Sequence, residues 1–352
     1  MSPDDRDYSS GIVLQMTKRE YVLSTIKHRE GDKVPYCIQI SEKAINLYGN
    51  KLLQDFNNKE VQDDLKQGNI NYKEAINFSI GNYMTLIPAH WWQWDYKNTS
   101  PIYKDPESTP DVMPAIIRED TAENFEEYNE HTKWIAEKYQ TYIVSLIYGS
   151  HFEKANFIRG IENFLADMGN SPEFAKKFLT FIIDLNMEIL PKIVKNKYID
   201  AVLLGSDWGT QNDLIMSPQT WNELIMPGEE REYAIIKAAG KHIIIHSCGC
   251  ILRIIPNLIE MGVDILNPVQ SECMDLNLLK ETYGSKLTYW GGISTQKTLP
   301  YGTPHDVIRE TEQVIKLMSR NGGYITCPSQ VIQEDVPYEN LKALIETVRH
   351  YG

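Results

Sequence analysis

The tetrapeptide His246-Ser247-Cys248-Gly249 follows directly on the apolar β-branched run Ile243-Ile244-Ile245. Such a run reads as a buried strand, so His246 and Cys248 fall where the strand stops and a loop begins. A spacing of two in an extended chain puts both side chains on one side, and an imidazole and a thiolate can then address a common centre. Cys327 ends a second short apolar segment, Tyr324-Ile325-Thr326-Cys327. One nitrogen and two sulfurs form a soft donor set that suits Zn2+, and three protein ligands leave the open position that catalytic zinc needs. The competing reading is packing, because free cysteine is among the most buried residue types and a histidine on an apolar strand can be a satisfied core group.

Asp207 stands at the end of another apolar run, Ala201-Val202-Leu203-Leu204-Gly205. It can act as a fourth zinc ligand, as a general acid, or as an acceptor that orients a catalytic group; it can equally cap the turn after the strand. Gln211, Asn267 and Gln270 follow strand ends in the same way, as polar contacts to a substrate or as amides that satisfy their own loops. Cys250 reads as a packing residue, and Cys37 and Cys273 as structural.

These residues need elements that bring them to one place. Thr17, with Glu20 three positions on, caps an opening helix over 17–28. Strands are expected at Val34–Ile40, Met84–Pro88, Ile143–Tyr148, Ala201–Gly205, His242–Ile245, Val263–Leu266, Leu287–Trp290 and Gly323–Thr326. Helical patterns separate them: from Ser41, over 121–138, 162–168 and 171–195, after Ser217-Pro218, and a final one over Tyr338–Tyr351. Pro191 is expected to kink or divide the long helix over 171–195. Residues 97–112, rich in Asn, Ser, Thr, Pro and Asp, read as a loop or short hairpin and as a candidate lid. Residues 1–15 read as an irregular, disordered start or arm. Eight strands alternating with helices, without a repeat or a linker, indicate a single (β/α)8 TIM-barrel domain over 1–352 with an N-terminal helical extension. No G-x-G-x-x-G or P-loop occurs to favour an open doubly wound sheet. In a barrel, Asp207, His246, Cys248, Asn267, Gln270 and Cys327 all fall on the C-terminal face, where barrel enzymes build their active sites.

Composition narrows the partners. The 352 residues are 42% hydrophobic and 24% charged, with a net charge of −13, which argues against nucleic acid or an anionic membrane surface as the main partner. No signal peptide and no run long enough for a membrane span is apparent. Five cysteines, none of them in the first 36 residues, do not form a disulfide framework, which places the chain in a reducing, cytoplasmic setting.

Taken together, His246-Ser-Cys-Gly, the stretch PNLIEMGVDILNPVQ over 256–270, Gly291-Gly292-Ile293-Ser294 and Val336-Pro337-Tyr338-Glu339-Asn340 resemble the uroporphyrinogen decarboxylase superfamily. Within it, His246-x-Cys248 with a distant Cys327 resembles the zinc-dependent corrinoid methyltransferases. That branch includes the methylcobalamin:coenzyme M enzymes and the methyltransferase I components of O-demethylases. The resemblance runs from about Arg159 to Asn340. Its decarboxylase members grip their tetrapyrrole with an arginine-rich motif after the first strand, whereas this chain has no arginine between Arg29 and Arg118. A polyanionic porphyrinogen would be poorly held.

The resemblance implies methyl transfer with the cobalt of a corrinoid of the cobalamin type. No D-x-H-x-x-G corrinoid motif occurs in the chain, so the corrinoid must come from a separate protein. In one direction the chain acts as an O-demethylase component on a small methoxylated substrate; in the other it delivers methyl to a thiol. Tyr36, Trp91, Trp92, Trp94, Tyr148 and Trp208 near strand ends suit stacking on a methoxylated aromatic ring and favour the first, with Tyr36, Trp91, Trp92 and Trp208 as substrate contacts. The competing reading of Trp91, Trp92 and Trp94 is that one or two of them fill the core. A metal-free lyase and a non-catalytic corrinoid reservoir are the competing classes, and a homodimer is open as the assembly.

Overall fold

The computed structural model describes residues 16–89, 91–147 and 149–352. The readings of residues 1–15 and Tyr148 lie outside that set. Seven parallel strands form one curled sheet in the order β1 (Met84–Pro88), β4 (Tyr142–Ile147), β5 (Ala201–Gly205), β6 (His242–His246), β7 (Ile265–Val269), β8 (Thr288–Ile293) and β9 (Tyr324–Pro328); β2 (Trp92–Trp94) and β3 (Ile116–Arg118) make a separate antiparallel pair. The strands are almost wholly buried, as expected of parallel strands covered by helices on one face and by a barrel interior on the other.

The eighth stave is Val34–Ile40, and it is irregular. It touches β9 and the loop beyond it through single bridges, Tyr36 to Thr326 and Ile40 to Ile332, because Pro35 has no N–H to extend a ladder. On its other side, towards β1, it is joined by the bond from Tyr83 N to Tyr36 O at 2.9 Å and by the Asn82 side chain. That amide accepts from Ile38 N and donates to Ile38 O, both at 2.9 Å. The architecture is the expected (β/α)8 barrel.

The helices start where their caps predict. Thr17 and Glu20 form a capping box on the helix Lys18–Ile26, and Ser41, Thr121 and Ser217 each cap the helix that follows. The long helix Pro172–Val194 runs through Pro191 and is not divided there. Its apolar face is packed along its whole length, with Leu190 and Ile193 buried on either side of the proline, and that packing outweighs one lost hydrogen bond. The excursion over 95–118 is anchored by buried Arg159, which donates to Asp105 O at 2.6 Å and Ser108 O at 2.9 Å while pairing with Asp167 at 2.6 Å. Among the described residues, no helix is long and apolar enough to cross a membrane.

Candidate metal centre

Parallel pairing sets the ends of β5, β6 and β7 side by side, with Gly205 opposite His246 and His246 opposite Asn267. The two loops that follow β5 and β6 are in close contact. A Cβ on Gly209 would lie 2.6 Å from Cys248 O, and Gly249, at φ +82, faces Gly209 in return. Only glycine fits either position. Trp208 N donates to Ser247 Oγ at 3.1 Å and Cys250 N to Thr210 O at 2.8 Å, which fixes the loops against each other.

This framework brings together Asp207, His246 and Cys248, with one donor atom of each within 4.8 Å of the others. Cys248 Sγ is 3.6 Å from His246 Nε2, Asp207 Oδ1 is 3.8 Å from the same nitrogen, and Cys248 N donates to Asp207 Oδ1 at 2.8 Å. The imidazole state follows from its other partner. Asn267 Nδ2 donates to Trp290 O at 3.1 Å, which turns Asn267 Oδ1 towards His246 Nδ1 at 2.8 Å. In the neutral ring Nδ1 then carries the proton and Nε2 offers a bare lone pair to the thiol and the carboxylate. Gln270, the next polar side chain after β7, accepts from Gly249 N through Oε1. Asn267 and Gln270 are therefore the residues that orient His246 and the Cys248 loop.

Burial, with Asp207 and Glu153 nearby, pushes the Cys248 thiol up to about 12. A bound divalent cation reverses that balance by stabilising the thiolate. One imidazole nitrogen, one sulfur and one carboxylate oxygen converge with the imidazole already oriented, and this set fits Zn2+.

Cys327 is not in this group. It is 3% exposed, packed in the barrel core with Cys37 and Trp290, and burial pushes its thiol up to about 12. The residue that reaches Cys248 from β9 is Gln330, three positions further on, whose Nε2 lies 3.1 Å from Cys248 Sγ. β9 runs on through Pro328, so Cys327 still alternates within the strand while the chain turns into the mouth only at Gln330.

Glu153, near the start of the helix His151–Arg159, is a second residue that sequence reading missed. Its carboxylate lies over the end of β5, where a Cβ on Gly205 would meet Glu153 Oε2 at 2.9 Å. Burial first, and then the Asp207 charge, raise its carboxyl to about 7. In the sequence it is one of many helical glutamates; a barrel reading would find it only by asking which helix begins directly after a strand.

The aromatic residues lie elsewhere. Trp91 is buried against Phe125 and Tyr128. Trp92 donates to Asn186 Oδ1 at 2.9 Å beneath Lys154, and Trp94 donates to Lys154 O at 2.8 Å. Trp208 is fully buried edge-on to Trp221, and the Tyr36 hydroxyl is spent on Ile80 O at 2.9 Å. They serve as core, because ring burial outweighs any gain from exposing them at the mouth. Gln211 is exposed, with Nε2 3.4 Å from Glu272 O. A cavity of about 790 Å³, counted with its solvent, lies between Cys37–Ile40 and β1 and is lined by Ile38, Ile76, Leu86 and Leu146 with Gln39 and Thr85. Asp207, His246 and Cys248 do not line it.

A sequence search of curated proteins returns no match. Among solved structures, the chain is similar to a methyltransferase from Methanosarcina mazei, at TM-score 0.66 and 16% identity over 96% of this chain and 99% of that one. It is more distantly similar to a β-glycosidase from Thermosphaera aggregans, at TM-score 0.46 and 10% identity over 92% of this chain and 97% of that one. A β-mannanase from the blue mussel Mytilus edulis follows at TM-score 0.43 and 10% identity, over 90% and 91% of the two chains. The profile of the uroporphyrinogen decarboxylase (URO-D) family matches residues 95–351, and that span carries every strand of the barrel except β1 and the Val34–Ile40 stave, and the whole donor set. The chain belongs to the uroporphyrinogen decarboxylase family.

Proposed function

We propose that this chain is a cytoplasmic zinc-dependent methyltransferase that moves a methyl group from a methoxylated substrate to the cobalt(I) of a corrinoid on a separate protein, as the methyltransferase I component of an O-demethylase system. The observation that carries the reading is the convergence of His246 Nε2, Cys248 Sγ and Asp207 Oδ1 at the barrel mouth. The shared fold with a methyltransferase supports it.

Asp207, His246 and Cys248 would hold the zinc ion, whose part is to act as a Lewis acid towards the substrate oxygen. Asn267 holds the imidazole in the tautomer that presents Nε2. The reaction breaks the methyl carbon–oxygen bond, passes the methyl group to cobalt, and leaves the electron pair on oxygen, which must then gain a proton. Glu153, over the end of β5 beside Asp207, is placed to deliver that proton from its carboxyl oxygen. Gln330, a neutral amide at Cys248 Sγ, donates to the sulfur without adding charge.

The electrostatics of the mouth favour this direction over methyl transfer to a thiol. Asp207 brings one anionic group to the mouth and a metal-bound Cys248 would add a second, in a chain of net charge −13. A neutral ether is accommodated there more readily than a sulfonated thiolate. With Trp91, Trp92, Trp94 and Trp208 in the core, none of these rings selects an aromatic methyl donor, and aliphatic as well as aromatic methoxy compounds belong in the screen.

The test combines metal analysis with turnover. We expect zinc at the mouth of purified protein, and methyl transfer from a methoxylated compound to a cobalt(I) corrinoid protein that stops on chelation and is lost in Cys248→Ala. Chelator-treated protein of unchanged activity would overturn the reading. Transfer to thiols alone would reverse the direction.

A further inference from the structure

A second group of metal-binding side chains lies inside the molecule. His151 opens the helix after β4, and Glu229 and Glu232 stand one turn apart on the helix Met226–Ala238. One ligand atom from each lies within 4.8 Å of the other two, and all three side chains are 0% exposed. Two carboxylates in such a place are costly unless a cation accompanies them.

The hydrogen bonding shows what the group lacks. His151 Nε2 donates to Ile225 O at 3.1 Å, which leaves Nδ1 as the lone pair of the neutral ring. Nδ1 has no hydrogen-bond partner, and neither have Glu229 Oε2, Glu232 Oε2 or the neighbouring Tyr233 hydroxyl. His151 Nδ1 is 3.5 Å from Glu229 Oε1 and 3.8 Å from Glu232 Oε2. Both separations are too long for a hydrogen bond. They are close to the spacing of about 3.4 Å between donors that share a tetrahedral ion about 2.1 Å from each. The two carboxylates favour a histidinium here, but its single charge compensates only one of them.

The surroundings orient the donors as outer partners orient metal ligands. Ser150 Oγ lies 3.3 Å from Glu229 Oε1, and Asn186 Nδ2 donates to Glu232 Oε1 at 2.7 Å while its own oxygen accepts from Trp92 Nε1 at 2.9 Å. The Ile225 carbonyl that holds His151 ends a five-residue π-helical turn, Trp221–Ile225, a distortion that often accompanies functional sites. A cleft walled by Lys176, Thr180, Ile183, Pro227 and Arg231 reaches His151 from the surface.

We propose that His151, Glu229 and Glu232 form a second, buried site for a divalent transition-metal ion of the zinc or manganese class. One imidazole and two carboxylates suit such an ion. It ties the helix Met226–Ala238 to the floor of the mouth, because Ser150 is hydrogen-bonded to Ser206, the residue before Asp207.

The test is Co2+ content in protein from cells grown with cobalt, so that the buried site can fill during folding, read by elemental analysis and absorption. A centre that includes Cys248 gives a thiolate-to-cobalt charge-transfer band, whereas a His151–Glu229–Glu232 centre gives none. We expect two equivalents per chain. Cys248→Ala should lose the band and keep one equivalent; Glu229→Gln/Glu232→Gln should keep the band and lose one. If the double variant does not fold, Cys248→Ala decides alone, with one retained equivalent supporting the site and none overturning it. A wild-type chain with one equivalent and no thiolate band would support the buried site while sinking the mouth centre. One equivalent with the band, unchanged by the glutamine substitutions, would overturn the buried site.

Discussion

Replacing Cys327 by alanine separates a core thiol from a ligand thiol. The structure places Cys327 in the barrel interior at 3% exposure. Removing its sulfur deletes buried volume comparable to one methylene, worth about 0.8 kcal/mol in transfer, with a cavity term of similar size. The sum, about 1.5 kcal/mol, lowers the melting temperature of a chain this large by roughly 2 °C. Metal content should not change. Cys248→Ala is the mirror case: a partly exposed sulfur leaves with little packing loss, and zinc affinity falls by at least the 10–100-fold that loss of an outer-shell partner alone produces. Thermal melts and zinc stoichiometry, measured on both variants after dialysis against a weak chelator, read the two effects independently. The reasoning is refuted if Cys327→Ala keeps the wild-type melting temperature and loses its zinc, because β9 would then have to shift Cys327 into the mouth in place of Gln330.

Asp207→Asn removes a charge about 4 Å from the donor set, worth between about 1 kcal/mol in water and about 4 kcal/mol at an effective dielectric of 20. With 47% of the side chain exposed, we expect the lower part of that range, about 1–2 kcal/mol, and a roughly 5–30-fold loss of zinc affinity by competition titration. Gly249→Ala forces a Cβ into the Gly209 backbone at positive φ; a destabilisation of about 2–4 kcal/mol is expected, with zinc lost at temperatures where circular dichroism still reports a folded barrel. Arg159→Met leaves Asp167 buried and unpaired and releases the 95–118 excursion, at a cost of about 3–5 kcal/mol by denaturant unfolding, and limited proteolysis should cut first within that excursion. His131 is held by Glu74 at 2.7 Å, which raises its pKa above 6.5. The raised folded-state value means that its stabilisation is fully present below pH 6.5 and is lost as pH rises through that folded value. The stability gap between wild type and His131→Gln should therefore be wider at pH 5.5 than at pH 8.5, and a gap that widens instead with rising pH would refute the assignment.

The strands and caps were legible because each is a local matter: a β-branched run, or a serine or threonine ahead of a helical pattern. His246, Cys248 and Asp207 were legible as a set because a parallel barrel converts strand ends into neighbours. Cys327 misled because strand length decides which residue turns into the mouth, and two further strand residues moved that point to Gln330, an amide with no metal-ligand signature. Glu153 and the His151–Glu229–Glu232 group were invisible for a related reason. Their burial comes from the packing of helices that follow the adjacent strands β4 and β5, and in the sequence they are ordinary helical charges. The Trp91–Trp94 cluster reads the same whether it faces a ligand or a neighbouring helix, and here Phe125, Tyr128 and Asn186 receive it.

The barrel can also be viewed as a hoop with one weak joint. Between β1 and β4 five residue pairs are in register, whereas the Val34–Ile40 stave meets β1 through one main-chain bond and the Asn82 amide. At about 1 kcal/mol per hydrogen bond, widening the hoop there costs less than parting the β1–β4 ladder. The cavity lined by Ile38 and Leu86 borders that joint, and the donor set stands beyond β4, at β5 and β6. The circumference is thus compliant on one side and stiff on the other. Amide exchange should register this asymmetry, with Ile38 and Tyr83 exchanging well before the amides of β5 to β7.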